Sequence, residues 1–130
     1  MIHKDLHKKP AMLDRERHRQ LKLREQDSTL TASAGLNSFF LTGAEFGDAC
    51  KEFAIVFLRA GADAQGQEQV APVVVLGLSQ GENLVLEGDR WAYRYAPAVL
   101  RAYPFTMARV DDKQFVMFFD ESWKGLSQTE

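Results

Sequence analysis

Residues 81–105, GENLVLEGDRWAYRYAPAVLRAYPF, constrain the fold of this chain more than any other stretch. A polar turn, a short hairpin signal and an aromatic segment follow one another, and Pro97 and Pro104 interrupt the last of these. Proline has a fixed φ and no backbone N–H, so neither can sit inside an ordinary helix or a central strand. Pro97 suits the first turn of a helix over residues 98–102, and Pro104 ends it by disfavouring helical geometry at Tyr103. Upstream, Gly88-Asp89 between residues 83–86 and 90–93 predicts a hairpin.

The remaining pattern is also β-rich. Residues 53–58 read as a buried strand and residues 72–78, apolar on both faces, as a central one, with a loop over residues 61–69 making them a hairpin. Residues 105–110 and 114–119 form another hairpin across Asp111-Asp112. Leu30, Ala32, Ala34 and Leu36 alternate and lead to Phe39-Phe40-Leu41, which predicts strand segments on either side of Gly35. Thr42 and Glu45 match a capping box ahead of a short helix over residues 44–51. Residues 13–23 fit a short helix or a turn leading into a strand at residues 21–23. The sum is an α+β fold, a mostly antiparallel β-sheet built from hairpins with a few short helices. At 130 residues the chain has the size of a single domain with one core.

Charge and cysteine content narrow the partners. Residues 1–26 hold eight Lys/Arg against four Asp/Glu, and residues 27–130 hold eight against fourteen. The acidic body would repel a phosphate backbone, and the basic head carries no interleaved aromatics, so no nucleic acid partner is expected. Residues 1–12 lack an apolar period and read as a flexible basic N-terminal arm ahead of a domain over residues 13–127. Association of that arm with anionic lipid is compatible with its charge. No apolar run approaches the roughly 20 residues needed to span a bilayer, and the first residues reach no apolar signal-peptide core, so a cytoplasmic location is expected. Cys50, the single cysteine, reads as a small buried structural residue.

The ordered elements Leu13-Asp14-Arg15-Glu16-Arg17-His18 with Leu21-Lys22-Leu23, then Glu45-Phe46, residues 53–57, Gly81-Glu82-Asn83-Leu84, Trp91, Tyr95-Ala96-Pro97-Ala98-Val99-Leu100-Arg101, Tyr103-Pro104-Phe105 and Asp120-Glu121 resemble the SapC family. The resemblance covers residues 13–127. The chain departs from the family's usual pattern at Ala54, Val85 and Ala102, where Pro, Phe and a second Arg are common. Family members commonly run beyond the last residue here, which implies a shortened form. The resemblance implies a bacterial protein connected with surface-layer (S-layer) protein systems, and related genes stand beside flavin-dependent halogenase-like and cupin-like genes. It implies no catalytic residues.

Candidate chemistry is sparse. His3 and His7 stand at i,i+4, but a zinc site needs further ligands, and the reading is of solvated histidines with no metal. Asp111-Asp112 and Asp120-Glu121 read as solvated acids at turns and strand ends. Glu82 and Asn83 follow a glycine turn, where Asn can bond the local backbone and Glu can reach Arg94 or Arg101. Trp91, Tyr93, Tyr95, Tyr103 and Phe105 cluster with Arg94 and Arg101, the side chains that interfaces use as anchors. The partner-binding candidates are Glu82, Asn83, Trp91, Arg94, Tyr95, Arg101 and Tyr103. These point to a non-catalytic module that binds a protein or peptide, with no cofactor, and leave room for a homo-oligomer. The competing expectation is an enzyme or enzyme accessory working beside a flavin or cupin-like enzyme.

Overall fold

Hairpins account for most of the regular structure in a computed structural model that describes residues 3–24, 29–111 and 113–128. In chain order the strands are β1 (Pro10–Met12), β2 (Lys22–Leu23), β3 (Ser38–Phe40), β4 (Ile55–Ala62), β5 (Glu68–Val75), β6 (Leu86–Glu87), β7 (Arg90–Trp91), β8 (Phe105–Arg109), β9 (Phe115–Asp120) and β10 (Leu126–Ser127). Two short α-helices, α1 (Phe46–Ala49) and α2 (Ala98–Arg101), and two 3-10 turns complete the set. The fold is α+β, with antiparallel strands in small sheets.

The chain divides into two compact units. Residues 30–101 make one of them. There β5 lies between β3 and β4, as its two-sided apolar pattern predicts, and Val73 and Val74 are buried. Pro72 is tolerated in this central strand because its missing N–H lies toward β3, beyond that strand's last residue. The Pro72 carbonyl still accepts the Leu41 N–H at 2.9 Å. Gly61, with φ +98°, supplies the left-handed residue at a bulge between Arg59 and Ala62. The β6–β7 hairpin turns at Gly88, φ +64°, and α2 starts after Pro97 as expected.

Two readings change in this unit. The alternation before Gly35 forms a 3-10 turn at Leu30–Ser33, and only the later segment becomes a strand, β3. Residues 53–58 are not a buried strand. Phe53 is buried, but β4 is the sheet's edge strand, and its Val56, Phe57 and Leu58 are exposed. An apolar run cannot reveal by composition alone that one of its flanks will have no neighbour.

Residues up to 29 and from 102 onward make the other unit. Its sheet runs β1-β9-β8, and β2 pairs with β10. The ambiguous segment 13–23 resolves as turns leading into β2. Of the head, the described residues 3–12 do not form a free arm. Leu6 is 2% and His7 1% exposed, and Pro10–Met12 add a strand onto β9. His7 is therefore a core residue, its ring 5.6 Å from that of Tyr103, and not a solvated one. Asp120 is also fully buried, contrary to the solvated reading. Asp112 of the expected turn lies outside the described residues, as do residues 1, 2 and 25–28 of the head and of the segment that follows it.

Candidate functional site

Buried carboxylates organise both units. In the 30–101 unit the local capping box forms. Glu45 Oε2 accepts the Thr42 N–H and the Thr42 hydroxyl, both at 2.8 Å. The other oxygen reaches across the chain, accepting the Tyr95 hydroxyl at 2.8 Å and the Ala98 N–H at 2.7 Å. Burial alone would raise the Glu45 pKa, but the donors from Thr42, Ala98 and Tyr95 outweigh it and hold the carboxyl below its usual range. Tyr95 moves the opposite way, raised by burial and by the Glu45 carboxylate it meets.

Glu52 extends the same bracket. Its carboxylate accepts the backbone N–H groups of Arg94 at 3.0 Å and Tyr95 at 2.8 Å, and these bonds lower its pKa. Trp91 Nε1 donates to the Tyr95 carbonyl at 2.9 Å. The Arg101 guanidinium lies 5.4 Å from the Tyr95 ring centroid and donates through Nε to the Ala96 carbonyl. The segment predicted as an anchor cluster is thus gathered around Tyr95. Beside it Asp48, Lys51, Glu52, Arg94 and Tyr95 line an open depression of about 480 Å³.

Glu82 does not join this group. Its Oε2 accepts the backbone N–H groups of Leu78 at 2.9 Å and Ser79 at 3.1 Å, so the carboxylate locks its own turn and pairs with neither Arg94 nor Arg101. The reason is proximity, because the turn offers two backbone donors at no cost in loop ordering. Gly77 closes the same turn, since a Cβ there would stand 2.3 Å from the Glu82 carbonyl oxygen. Asn83 bonds locally as expected, accepting from Val85 N–H at 3.0 Å, and it also donates to the Ser33 carbonyl and hydroxyl. Tyr103 belongs to the other unit, where its hydroxyl donates to Asp120. Of the seven candidates, Trp91, Arg94, Tyr95 and Arg101 come together, and Glu82, Asn83 and Tyr103 do structural work elsewhere.

Sequence reasoning missed three features. Glu52 carried no motif, whereas Glu45 was visible through its capping box. Cys50 is exposed, not buried. It follows Ala49, which is 0% exposed, and one step along a helix turns the next side chain by about 100°. The third is β4. Hydrogen bonding alternates along an antiparallel strand, and Val75 N–H donates to the Ala54 carbonyl. In the register Val56↔Val73 and Phe57↔Pro72, the N–H and C=O of Ile55, Phe57 and Arg59 therefore face the open edge. Phe57 is 62% exposed beside that edge and touches Phe46 of α1 edge-on at 6.2 Å.

Among the described residues no group of three or more His, Cys, Asp or Glu is placed to hold a metal ion, and no helix is long and apolar enough to cross a membrane. A family model described as SapC matches residues 13–130. No curated protein and no solved structure matches the chain.

Proposed function

Since the chain belongs to the SapC family, we propose that it is a non-catalytic module that binds a protein or peptide partner in a bacterial surface-protein (S-layer) export or assembly system. The observation that carries this reading is the β4 edge. An eight-residue strand with outward N–H and C=O groups and exposed Val56, Phe57 and Leu58 is what an extended partner segment needs to add a strand. Natural edges are usually blunted by lysine, proline or a bulge. Here the bulge lies beyond Arg59, which leaves Ile55–Leu58 open. The Tyr95 cluster and its mixed-charge depression belong to the same unit and offer polar contacts to such a partner.

The test uses purified surface-layer protein from the same organism as bait. Phe57→Lys puts a charge on the open edge without removing a buried group, so capture is lost while the melting temperature stays within a few degrees. Undiminished capture by Phe57→Lys overturns the edge reading. A flavin or metal retained through purification would move the assignment to an enzyme or enzyme accessory.

A further inference from the structure

The two faces of the β3-β5-β4 sheet meet solvent differently. Phe39, Val74 and Ile55 stand opposite one another on one face, where Phe39 and Val74 are buried, so this is the core face. Phe40, Val73 and Val56 form the corresponding row on the other face. Phe40 and Val56 are exposed there, and so is Leu58, which shares that face because side chains alternate along a strand. The row stops at β4. Nothing among the described strands lies beyond it.

A second β4, antiparallel to the first and related to it by a two-fold axis through Phe57, complements this edge. Phe57 then meets Phe57 of the second copy and Ile55 meets its Arg59 as hydrogen-bonded pairs, which uses the outward N–H and C=O groups of all three residues. Val56 faces Leu58 of the second copy in the closer, non-hydrogen-bonded pairs, so the exposed Val56, Phe57 and Leu58 each gain an apolar neighbour. No like charges are opposed. Residues 54–58 carry no charge, and the Arg59 guanidinium lies 3.4 Å from Glu68 of β5, on the side away from the open edge. The bulge beyond Arg59 ends the ladder. We infer that a second copy of this chain covers the β4 edge by antiparallel β4–β4 pairing about Phe57, a cap that a partner segment must displace. This rests on the same open edge as the proposed partner binding. One strand pair is a small interface, below the roughly 1,200 Å² of stable complexes, so the cap is weak and reversible.

The test is sedimentation velocity on the full chain, alone and as charge variants. The parent exchanges reversibly between monomer and dimer, with a dissociation constant below about 1 mM. Phe57→Lys and Phe57→Glu each set like charges directly opposite one another across the axis, and each weakens the dimer about fivefold or more while the melting temperature stays within a few degrees. An equimolar mixture of the two variants sets opposite charges there and associates about fivefold or more tightly than either variant alone. That rescue requires Phe57 on the axis. A parent that stays monomeric to about 1 mM, or a mixture no tighter than its separate components, overturns the inference. A monomeric parent whose Phe57→Lys variant loses capture of the surface-layer protein overturns the self-pairing alone. A dimeric parent, rescued as described, whose Phe57→Lys variant still captures that protein supports the self-pairing and removes only the partner.

Discussion

The two units are organised around the same device, a buried carboxylate that takes a tyrosine hydroxyl and backbone N–H groups and, among the described residues, pairs with no cation, but they use it over different distances. Glu45 joins its own capping turn to Tyr95 and Ala98, about fifty residues later. Asp120 accepts the N–H groups of Lys8 at 3.2 Å and Lys9 at 3.1 Å from the other end of the chain, the Tyr103 hydroxyl at 2.9 Å, and the Ser122 N–H and hydroxyl. Burial would raise the Asp120 pKa, yet donors led by Ser122 and Tyr103 bring it below its ordinary value. The difference is one of replacement. The 30–101 unit has Phe39, Leu41, Phe53, Val73, Val74, Leu76 and Leu100 in its core, whereas the buried side chains of the other unit include Leu6, His7, Tyr103 and Phe119 beside Asp120. A unit with fewer apolar groups relies more heavily on its polar hub.

Asp120→Ala puts that contrast to its most severe test. It takes the acceptor away from three backbone N–H groups and two hydroxyls, among them the buried Tyr103 phenol, and the expected loss is about 4 kcal/mol by urea unfolding, a large share of the stability of a domain this size. Glu45→Ala should cost less, about 3 kcal/mol, because its unit keeps a larger apolar core and the Thr42 turn can be hydrated. If Glu45→Ala proves the costlier of the two, the dependence on the hub is the reverse of what the cores suggest.

Acidification separates the units by a different route. His7 is buried and its pKa is lowered chiefly by that burial from 6.5. The unfolded chain therefore takes up a proton that the folded one refuses, so stability is full above pH 6.5 and declines as pH falls from there toward the lowered folded value. Glu45 and Asp120, lowered from 4.5 and 3.8, keep their contributions above those values and lose them as pH falls through their folded pKa values. Stability followed from pH 7.5 to 3 should show an early decline ahead of a steeper one, and the early decline should be smaller in His7→Phe, where His3, also lowered from 6.5 chiefly by burial, still contributes. A single acid transition identical in His7→Phe would remove His7 from the account.

What the sequence disclosed follows from how far each signal reaches. The hairpins at Gly88 and at residues 61–69, the helix after Pro97 and the central position of β5 were legible because turn residues, proline and two-sided apolarity act over a few positions. Half of Glu45 was legible for the same reason: its Thr42 contacts are three residues away, and its Tyr95 and Ala98 contacts are not. Asp120 was illegible. Nothing near it in the chain announces Lys8 and Lys9, more than a hundred residues upstream. The Glu82 reading failed in the opposite direction, because a long-range pair was inferred where two local N–H groups sufficed.

The tyrosines give a smaller and cleaner comparison. Tyr103→Phe and Tyr95→Phe each remove one hydroxyl from a carboxylate that keeps other donors, so each should cost about 1 kcal/mol. Tyr103 is 7% exposed and its bond to Asp120 is buried, while Tyr95 is half-buried. The Tyr103 variant should therefore be the less stable of the two. Equal losses would show that water replaces both hydroxyls equally well.

Cys50 supplies the floor against which these losses are judged. It ends α1 in the Glu45 unit, one residue from the fully buried Ala49, yet its own side chain is exposed and its sulfur is 3.8 Å from the Gly47 carbonyl, a weak contact. An exposed thiol exchanges little environment on folding, so Cys50→Ser should change stability by no more than about 0.5 kcal/mol. Native alkylation by iodoacetamide should proceed nearly as fast as in urea, because no local opening is required. A thiol that labels only after unfolding would mean that α1 is covered at Cys50. The Glu45 unit would then have a second buried face, and its smaller dependence on the carboxylate would have to be attributed to that cover as well as to its core.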